Sequence, residues 1–255
     1  MSHVVVSQVT KSYPGRGGRS QPVPALNDVS FEIRHNEFCS ILGHSGCGKT
    51  TLLNMIGGFE RPTRGTIMID GEQITNPHWS RTVIFQDYAL FPWMTVAENI
   101  SFGLEMKKIP RDERRDRVRR HIELVGLGGT EGRFPHELSG GMKQRVSIAR
   151  ALAVDPKVLL MDEPFAALDA QNRGSMQREM VRIWERERKT VVLVTHSIEE
   201  AVVLSDRILV MTRHPGRVKA DLEIGLARPR REEDPQVIAL RNELRDLIHE
   251  SELQA

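Results

Sequence analysis

ILGHSGCGKTTLLNMI, residues 41–56, decides the fold of this chain. It contains the spacing G-x-x-x-x-G-K-[ST] over Gly43–Thr50, directly after the apolar run Phe38–Leu42. A strand before this motif and a helix after it are the context that a phosphate-binding loop requires. We therefore predict a strand over Phe38–Leu42 and a helix that begins near Gly48 and runs through Ile56.

The loop residues have the chemistry to hold a triphosphate. Glycines let backbone N–H groups turn toward phosphate oxygens, and the positive end of the helix dipole adds to this attraction. Lys49 supplies a mobile charge for the β- and γ-phosphates, and Thr50 offers a hydroxyl to Mg²⁺. We predict that ATP and Mg²⁺ bind here, with the nucleotide contacted by Gly43, His44, Ser45, Gly46, Cys47, Gly48, Lys49, Thr50 and Thr51.

The two cysteines, Cys39 and Cys47, do not form a CxxC pair, which argues against a disulfide framework or a zinc site. Cys47 lies beside Lys49 at a helix N-terminus, a position expected to lower the pKa of its thiol. On this hypothesis Cys47 is alkylated easily and ATP protects it. The alternative is a small side chain that fills a variable position. Cys39, in an apolar strand, is expected to belong to the core.

A second apolar run, Val158–Met161, leads directly into Asp162 and Glu163. A buried parallel strand delivers the residues at its carboxyl end to the ligand crevice of an α/β sheet. We assign Asp162 to Mg²⁺, and Glu163 to the attacking water, which it orients and polarises. An acidic pair at a strand end is also a common helix-start signal, so this assignment depends on the phosphate loop upstream.

The run Val191–Val194 likewise ends at Thr195 and His196. A single histidine is more often structural, but one that ends an apolar strand in a chain with a phosphate loop favours a catalytic role. We predict that His196 senses or holds the γ-phosphate. The remaining histidines are expected to be structural, among them His35, His78 and His136.

Length and composition describe an ordinary globular protein that can bury a core. The 255 residues suffice for one large α/β domain or two small ones, with 39% hydrophobic and 27% charged residues. A net charge of +2 argues against nucleic acid as a partner, since nucleic-acid binders usually show a clear basic excess. Neither a signal peptide nor a run of roughly 18 apolar residues is found, so we expect a cytosolic protein or one held at a membrane by a partner.

Apolar periodicity outlines the rest of the chain. Short apolar runs separated by helical stretches predict a mostly parallel sheet covered by helices. The run Gly65–Ile69, followed by Asp70 and Gly71, predicts a hairpin with a type I′ turn. The tail Pro235–Leu253 predicts a helix that packs on the main body through one apolar face, made of Val237, Leu240, Leu244 and Leu247.

Residues 111–124, RDERRDRVRRHIEL, are strongly charged and could be read as a nucleic-acid arm. Val118, Ile122 and Val125, however, recur at the spacing of one helical face. This periodicity favours a solvated amphipathic helix.

A glycine-led segment follows, LSGGMKQR at residues 138–145. Ser139 caps a predicted helix, and the first N–H groups of that helix form a second anion site. For Ser139-Gly140-Gly141 taken alone, the alternative to an anion site is a plain turn that precedes a helix.

Taken together, the motifs resemble the ATP-binding subunit of ABC transporters over essentially the whole chain. GHSGCGKT resembles the Walker A motif, LSGGMKQR the ABC signature, and VLLMDEP the Walker B motif, while His196 matches the switch histidine. By the same resemblance, Gln86 in VIFQDYALFP is the glutamine that touches Mg²⁺ and couples to the membrane partner. Tyr13 falls where the family stacks an aromatic ring on adenine, and residues 167–169 resemble the D-loop.

This resemblance implies an α/β P-loop NTPase (RecA-like) core with an N-terminal antiparallel β subdomain and an α-helical subdomain. We expect one ATP-binding domain over residues 1–255. The β subdomain and nucleotide-binding core would cover roughly residues 1–86 and 155–230. The helical subdomain with the signature would cover 87–154, and the C-terminal helix 231–255.

The resemblance also implies partners. Two copies pair head to tail, so that Ser139, Gly140 and Gly141 face the ATP held by the other copy's Lys49. The homodimer works on integral membrane permease subunits at the cytoplasmic face of the inner membrane, and indirectly with a periplasmic or extracellular substrate-binding protein.

LSGGMKQR, FQDYALFPWMTVAENISFGLE and MTRHPGRV resemble the nitrate, sulfonate and taurine importer branch. Two positions depart from the family pattern. Met142 replaces the usual glutamine of the signature, and Ala166 replaces the usual D-loop serine, which puts one interface hydrogen bond in doubt. The alternative function is an ABC-type ATPase that acts on nucleic acid or the ribosome. Such chains carry a long heptad insertion or two cassettes, and neither is found in this sequence.

Overall fold

The computed structural model describes residues 2–15 and 21–253. The strands of these residues are β1 (Ser2–Tyr13), β2 (Val23–Arg34), β3 (Phe38–Leu42), β4 (Arg64–Ile69), β5 (Glu72–Gln73), β6 (Arg81–Ile84), β7 (Val158–Asp162), β8 (Thr190–Thr195), β9 (Arg207–Met211) and β10 (Val218–Glu223). The helices are α1 (Lys49–Gly57), α2 (Val96–Met106), α3 (Arg111–Leu124), α4 (Gly140–Ala153), α5 (Ala170–Glu187), α6 (Ile198–Leu204) and α7 (Pro235–Leu253), with a 3₁₀ turn at Pro135–Glu137. Within the described ranges, no helix combines the length and apolar character needed to cross a bilayer.

The chain divides into two compact units, one made of Met1–Pro77 with Thr190–Ala255 and one made of His78–Lys189. The first unit contains an antiparallel sheet in the order β2-β1-β4-β5, which is the antiparallel β subdomain predicted at the N-terminus. It also contains β3 paired in parallel with both β8 and β9, and β10 antiparallel to β9. All five residues of β3 are buried, as in a strand covered on both faces.

Two local predictions in the first unit are confirmed. Asp70 and Gly71 have φ angles of 51° and 80°, the pair of positive values that a type I′ turn requires. The tail forms α7, and its apolar face packs against a buried cluster that includes residues of α6 and β9 and Ile224, which directly follows β10. Val237 and Leu244 are fully buried there, which explains why this helix docks on its own unit.

The second unit combines the parallel pair β6 and β7 with helices α2 to α5. α2 begins with a capping box, in which Thr95 and Glu98 each accept a hydrogen bond from the other's backbone N–H. α3 is the amphipathic helix predicted from its spacing, since Val118, Ile122 and the following Val125 are buried. Its charged residues form the opposite face.

Candidate nucleotide-binding site

The loop after β3 is shaped by glycines at left-handed backbone angles. Gly46 has a φ angle of 80° and Gly48 one of 90°. At Gly48 a side chain would also lack space, because a Cβ would lie 2.6 Å from Leu26 Cδ2 and 3.0 Å from the Ala25 carbonyl oxygen. This turn therefore requires glycine at position 48 for two independent reasons.

Lys49 holds the loop together from inside. It is the first residue of α1 and is 5% exposed. Its Nζ donates to the carbonyl oxygens of Gly43 and His44, both at 2.8 Å, and contacts Cys47 Sγ at 3.8 Å. An ammonium group has three N–H donors. Two of them fix the side chain, and the third, on a long contact to sulfur, is the one best placed to turn to a phosphate oxygen.

The outer surface of the loop can receive an anion. Ser45, Gly46 and Thr50 are exposed. Within the part of the chain that the structure describes, α1 has Gly48 as its N-cap residue, with no side-chain cap and no acidic residue in its first turn. The first N–H groups of a helix have no acceptor of their own, so they are suited to phosphate oxygens. The Thr50 hydroxyl at the same helix end is an oxygen ligand of the kind that Mg²⁺ takes, so these residues fit both groups.

Of the two interpretations of Cys47, the reactive thiol is wrong, and the small filling side chain agrees with the structure. Its thiol is 1% exposed, and burial raises its pKa, against a smaller lowering by the charge of Lys49. Because thiol reactivity needs both thiolate and access, Cys47 serves as a small side chain on the inner face of the loop. Cys39 is fully buried in β3, as expected, and burial raises its pKa as well.

Tyr13 ends β1 beside the helix of the phosphate loop. Its hydroxyl donates to Glu60 Oε2 at 2.9 Å and lies 3.4 Å from Thr51 Oγ1. Lys11 Nζ lies 5.1 Å from the centre of the ring. The ring is 39% exposed, so it can stack on a planar base while these contacts fix its position.

His196 leaves the sheet beside the phosphate loop. β3 and β8 are parallel and in register, so Gly43 and His196 follow directly paired residues. Thr195 Oγ1 donates to Glu200 Oε2 at 2.6 Å, and the N–H of Ser197 donates to Thr195 Oγ1 at 3.0 Å. The buried Glu200 was not predicted. Its sequence signal is the Ser-x-x-Glu spacing of a helix start, and the Glu200 N–H donates to Ser197 Oγ at 3.2 Å as that spacing predicts.

In the second unit, Gln86 and the acidic pair follow two paired parallel strands. Ile84 lies opposite Met161, so Gln86 and Glu163 are each two residues beyond this pair. Gln86 is exposed, and Asp162 and Glu163 are half-buried. The structure thus brings these three polar residues to one edge of the second unit, where the carboxyl ends of parallel strands bind ligands in α/β proteins.

Glu163 has an unusual backbone conformation. Its φ angle is 44°, in the left-handed region that residues other than glycine rarely adopt. The N–H of Ala166 donates to its carbonyl oxygen at 3.1 Å, and Pro164 and Phe165 are buried between them. Backbone strain of this kind, of order 1–3 kcal/mol, persists only where the surroundings impose it and concentrates at functional sites.

The loop after Gln86 is held by an arginine that sequence reasoning missed. Tyr88 and Ala89 have φ angles of 62° and 47°. The guanidinium of Arg150, on α4, donates to the Ala89 carbonyl oxygen at 2.7 Å and to the Tyr88 carbonyl oxygen at 3.1 Å. It also lies 5.6 Å from the centre of the Phe91 ring. Nothing in the local sequence marks an arginine 61 and 62 positions away from these two residues as the support of this loop.

The glycine-led helix α4 has the predicted serine cap. Ser139 Oγ accepts from the N–H of Met142 at 3.3 Å, which leaves the hydroxyl proton as a donor. Ser139 and Gly140 are exposed. A Cβ at Gly140 would lie 3.1 Å from the Tyr88 hydroxyl, whereas one at Gly141 would meet no described atom within 4 Å. No contact among the described residues therefore requires glycine at position 141.

Comparison with known proteins identifies the family. The family model described as ABC transporter matches residues 26–166. An uncharacterized ABC transporter ATP-binding protein of Methanocaldococcus jannaschii is 47% identical over 98% of this chain and 92% of its own length. The nitrate import ATP-binding protein NrtD of Synechococcus elongatus is 43% identical over 94% of this chain and 89% of its own. The bicarbonate transport ATP-binding protein CmpC of that organism is 48% identical over 94% of this chain, which spans only 37% of that longer relative.

Solved structures agree. CbiO1 of Clostridium perfringens, part of the ABC transporter complex CbiONQ, has a TM-score of 0.78 at 30% identity and covers 88% of this chain and 89% of its own. A dimeric ATP-binding cassette in a post-hydrolysis state, bound to ADP and Pi, has a TM-score of 0.73 at 33% identity and covers 88% of this chain and 100% of its own.

These likenesses confirm the predicted α/β P-loop NTPase fold and the nucleotide as ligand. The relatives named here give no support to the alternative of an ATPase that acts on nucleic acid or the ribosome. The family model and the near-complete alignments lead to one conclusion. The chain belongs to the ABC transporter family, as one of its ATP-binding, ATP-hydrolysing subunits.

Proposed function

We propose that this chain powers the import of a small anion, such as nitrate, bicarbonate, taurine or another sulfonate. The observation that carries the proposal is the 43% and 48% identity, across 94% of the chain, with proteins named for nitrate import and bicarbonate transport. The segments that resemble the nitrate, sulfonate and taurine branch support it. The transported anion is met by the permease, so residues of this chain act on ATP alone.

Binding of the nucleotide falls to residues with matching chemistry. Lys49 and the loop N–H groups hold the β- and γ-phosphates, and Tyr13 stacks on adenine. Mg²⁺, when bound, neutralises charge on the phosphates. Its proposed ligands are the Thr50 hydroxyl, the Gln86 amide oxygen and the Asp162 carboxylate, all oxygens.

Hydrolysis needs a water in line with the γ-phosphate and charge neutralisation around it. Glu163 orients and polarises this water and receives its proton as the bond to phosphorus forms. The bond from phosphorus to the β-phosphate oxygen breaks, and Lys49 stabilises the charge that develops there. His196 holds the γ-phosphate in place. The register of β3 with β8, which sets His196 next to Gly43, supports this role.

The signature segment is proposed to act on a second copy of the chain. Ser139 has a hydroxyl proton to donate, and Gly141 is not required by any described contact within the chain. Both facts agree with a helix end that closes on the ATP of a partner, where a side chain at position 141 would obstruct the phosphates. The dimeric cassette bound to ADP and Pi is a precedent among relatives.

Residues 1–255 are proposed to work as a single ATP-binding domain, with the bounds predicted from the sequence. The homodimer would lie peripherally at the cytoplasmic face of the inner membrane, under permease subunits that receive the anion from a substrate-binding protein. ATP binding closes the dimer, and hydrolysis with release of phosphate reopens it. These motions move the permease.

Replacing Glu163 by glutamine tests the site. E163Q should bind ATP as the unmodified chain does but lose turnover, because the amide cannot accept the proton of the attacking water. With saturating ATP and Mg²⁺ it should therefore accumulate as a dimer. Steady-state phosphate release and light scattering after gel filtration measure the two effects.

A matched control is Glu123→Gln, which removes an exposed carboxylate at the end of α3 in the same unit. It should hydrolyse ATP at the normal rate and should not accumulate as a dimer. Turnover in E163Q at the unmodified rate would refute the role of Glu163, and a monomer at saturating ATP would refute the shared site. Uptake of labelled nitrate, bicarbonate or taurine by cells that produce the complete transporter tests the cargo. If no uptake of any of these anions depends on the ATPase, the proposal of an importer for small anions is contradicted.

A further inference from the structure

Three neighbouring strands of the first unit bring two histidines and an aspartate together. His3 lies at the start of β1, His35 directly follows β2, and Asp70 directly follows β4. β1 pairs antiparallel with both of the other strands, so the three residues align at one end of the sheet. The N–H of Asp70 donates to the His3 carbonyl oxygen at 2.9 Å, which fixes the backbones side by side.

The side chains converge on one carboxylate oxygen. Asp70 Oδ1 lies 2.6 Å from His3 Nδ1 and 3.2 Å from His35 Nε2. The two imidazole rings are stacked obliquely, with centres 4.0 Å apart. One ligand atom from each of the three residues lies within 4.8 Å of the others. Around a tetrahedral ion with bonds of about 2.0–2.1 Å, ligand atoms are about 3.3 Å apart, so shifts of roughly 1 Å complete the geometry.

We propose that His3, His35 and Asp70 bind one divalent transition-metal ion, of which Zn²⁺ is the representative. Two imidazole nitrogens and one carboxylate form a ligand set that binds such ions better than it binds Mg²⁺, because Mg²⁺ favours oxygen ligands alone. Water completes the coordination on the open side. The exposed fractions fit this assignment, since the His3 side chain is 2% exposed as an anchor, while those of His35 and Asp70 are 55% and 27% exposed and admit an ion.

The site is separate from the nucleotide chemistry. His3 and Tyr13 are at opposite ends of β1, ten positions apart, which corresponds to as much as about 33 Å along a strand. A metal here would join the ends of β1, β2 and β4 and stabilise the antiparallel sheet. The inference therefore stands or falls independently of the proposed import function.

Titration of the whole 255-residue chain with Zn²⁺ tests the proposal. The solution contains millimolar Mg²⁺ and no nucleotide. Calorimetry against a chelator of known affinity should show one site per chain. Asp70→Asn and His35→Asn should each weaken it at least tenfold, since even changes behind the ligands of metal sites cost about that much. Both variants are expected to fold, because asparagine tolerates the positive φ angle of position 70 and His35 is exposed.

His78→Asn is the matched control, because it removes a histidine of the second unit that is bonded to Ser80. It should keep the Zn²⁺ affinity of the unmodified chain. At a free Zn²⁺ concentration of about 100 times Kd, binding to the folded state alone lowers the unfolding equilibrium constant by about 100-fold. This stabilisation should be seen in the unmodified chain and His78→Asn, and at the same Zn²⁺ concentration it should fall to about tenfold or less in Asp70→Asn. Equal Zn²⁺ affinity in Asp70→Asn, His35→Asn and the unmodified chain, or no binding by the unmodified chain, would overturn the proposal.

Discussion

Replacing Arg150 by methionine should disable the loop after Gln86 while costing the fold little. The guanidinium makes two hydrogen bonds, to the carbonyl oxygens of Tyr88 and Ala89, and one cation–π contact with Phe91. Methionine removes every donor but retains much of the apolar stem. The loop then loses the contacts that keep Tyr88 and Ala89 at positive φ angles.

The change in the free energy of unfolding caused by R150M is the difference between lost contacts and relieved backbone strain. Two hydrogen bonds from a charged donor are worth about 1.5 kcal/mol each at the low end, and the cation–π contact about 0.5 kcal/mol. Against this loss of about 3.5 kcal/mol, two non-glycine residues leave the left-handed region, which returns about 1 kcal/mol each. The net destabilisation is about 1.5 kcal/mol. For a chain of this length that corresponds to a decrease in Tm of roughly 3–6 °C.

Activity should respond far more strongly than stability. Gln86 is two residues before the strained pair, and a misplacement of about 1 Å at a reacting centre can cost about 100-fold in rate. We expect kcat for ATP hydrolysis to fall at least tenfold in R150M. Calorimetric melting and steady-state phosphate release measure the two quantities on the same preparation.

Arg117→Met serves as the control, since it removes a guanidinium of the second unit that bonds to Glu113 on the surface of α3. An exposed pair of this kind contributes little, so neither Tm nor kcat should change appreciably. A normal kcat in R150M would show that the arginine does not position Gln86. A decrease in Tm of more than 10 °C would show that the loop is not strained and that the contributions above do not offset one another.

Two further predictions concern buried titratable groups. Maleimide should leave Cys39 and Cys47 of the native protein unmodified at pH 7, because both thiols are buried and burial raises the pKa of each. Mass spectrometry after labelling measures the modification. Prompt modification of Cys47 would contradict the prediction. Burial also lowers the pKa of His121, so the unfolded chain takes up a proton first as the pH falls below about 6.5, and stability should drop there. Melting curves at pH 7.5 and 5.5 should show a smaller drop for His121→Gln, and an equal drop in both proteins would contradict the assignment.

Features set by residues near one another in the chain could be predicted from the sequence. The phosphate loop depends on glycines and a lysine within eight positions, Gly43–Thr50, and the hairpin depends on Asp70 and Gly71 having positive φ angles. The stripe on α3 depends on spacing alone. In each case the physical cause acts within one or two turns of backbone, so the local sequence is sufficient to predict the local structure.

Cys47 shows where such local reasoning fails. A lysine two positions away and a helix N-terminus both lower the pKa of a thiol. Burial raises it by more, and burial depends on distant residues. A Cβ on Gly216 would lie 2.1 Å from the Cys47 carbonyl oxygen, so a segment far along the chain covers this part of the loop. Sequence proximity could not indicate which effect prevails.

The same argument applies to the residues that hold the site in shape. Glu163, Tyr88 and Ala89 have left-handed backbone angles that their side chains disfavour, so propensity would predict ordinary turns at all three. Such conformations exist only because tertiary contacts impose them, as Arg150 does for Tyr88 and Ala89 from 62 and 61 positions away. Two of the three follow Gln86 closely, at the second and third positions after it, and the third is the proposed catalytic residue Glu163. Chemistry at these positions therefore depends on supporting residues that no motif contains, and substitutions that spare every motif should be able to abolish turnover.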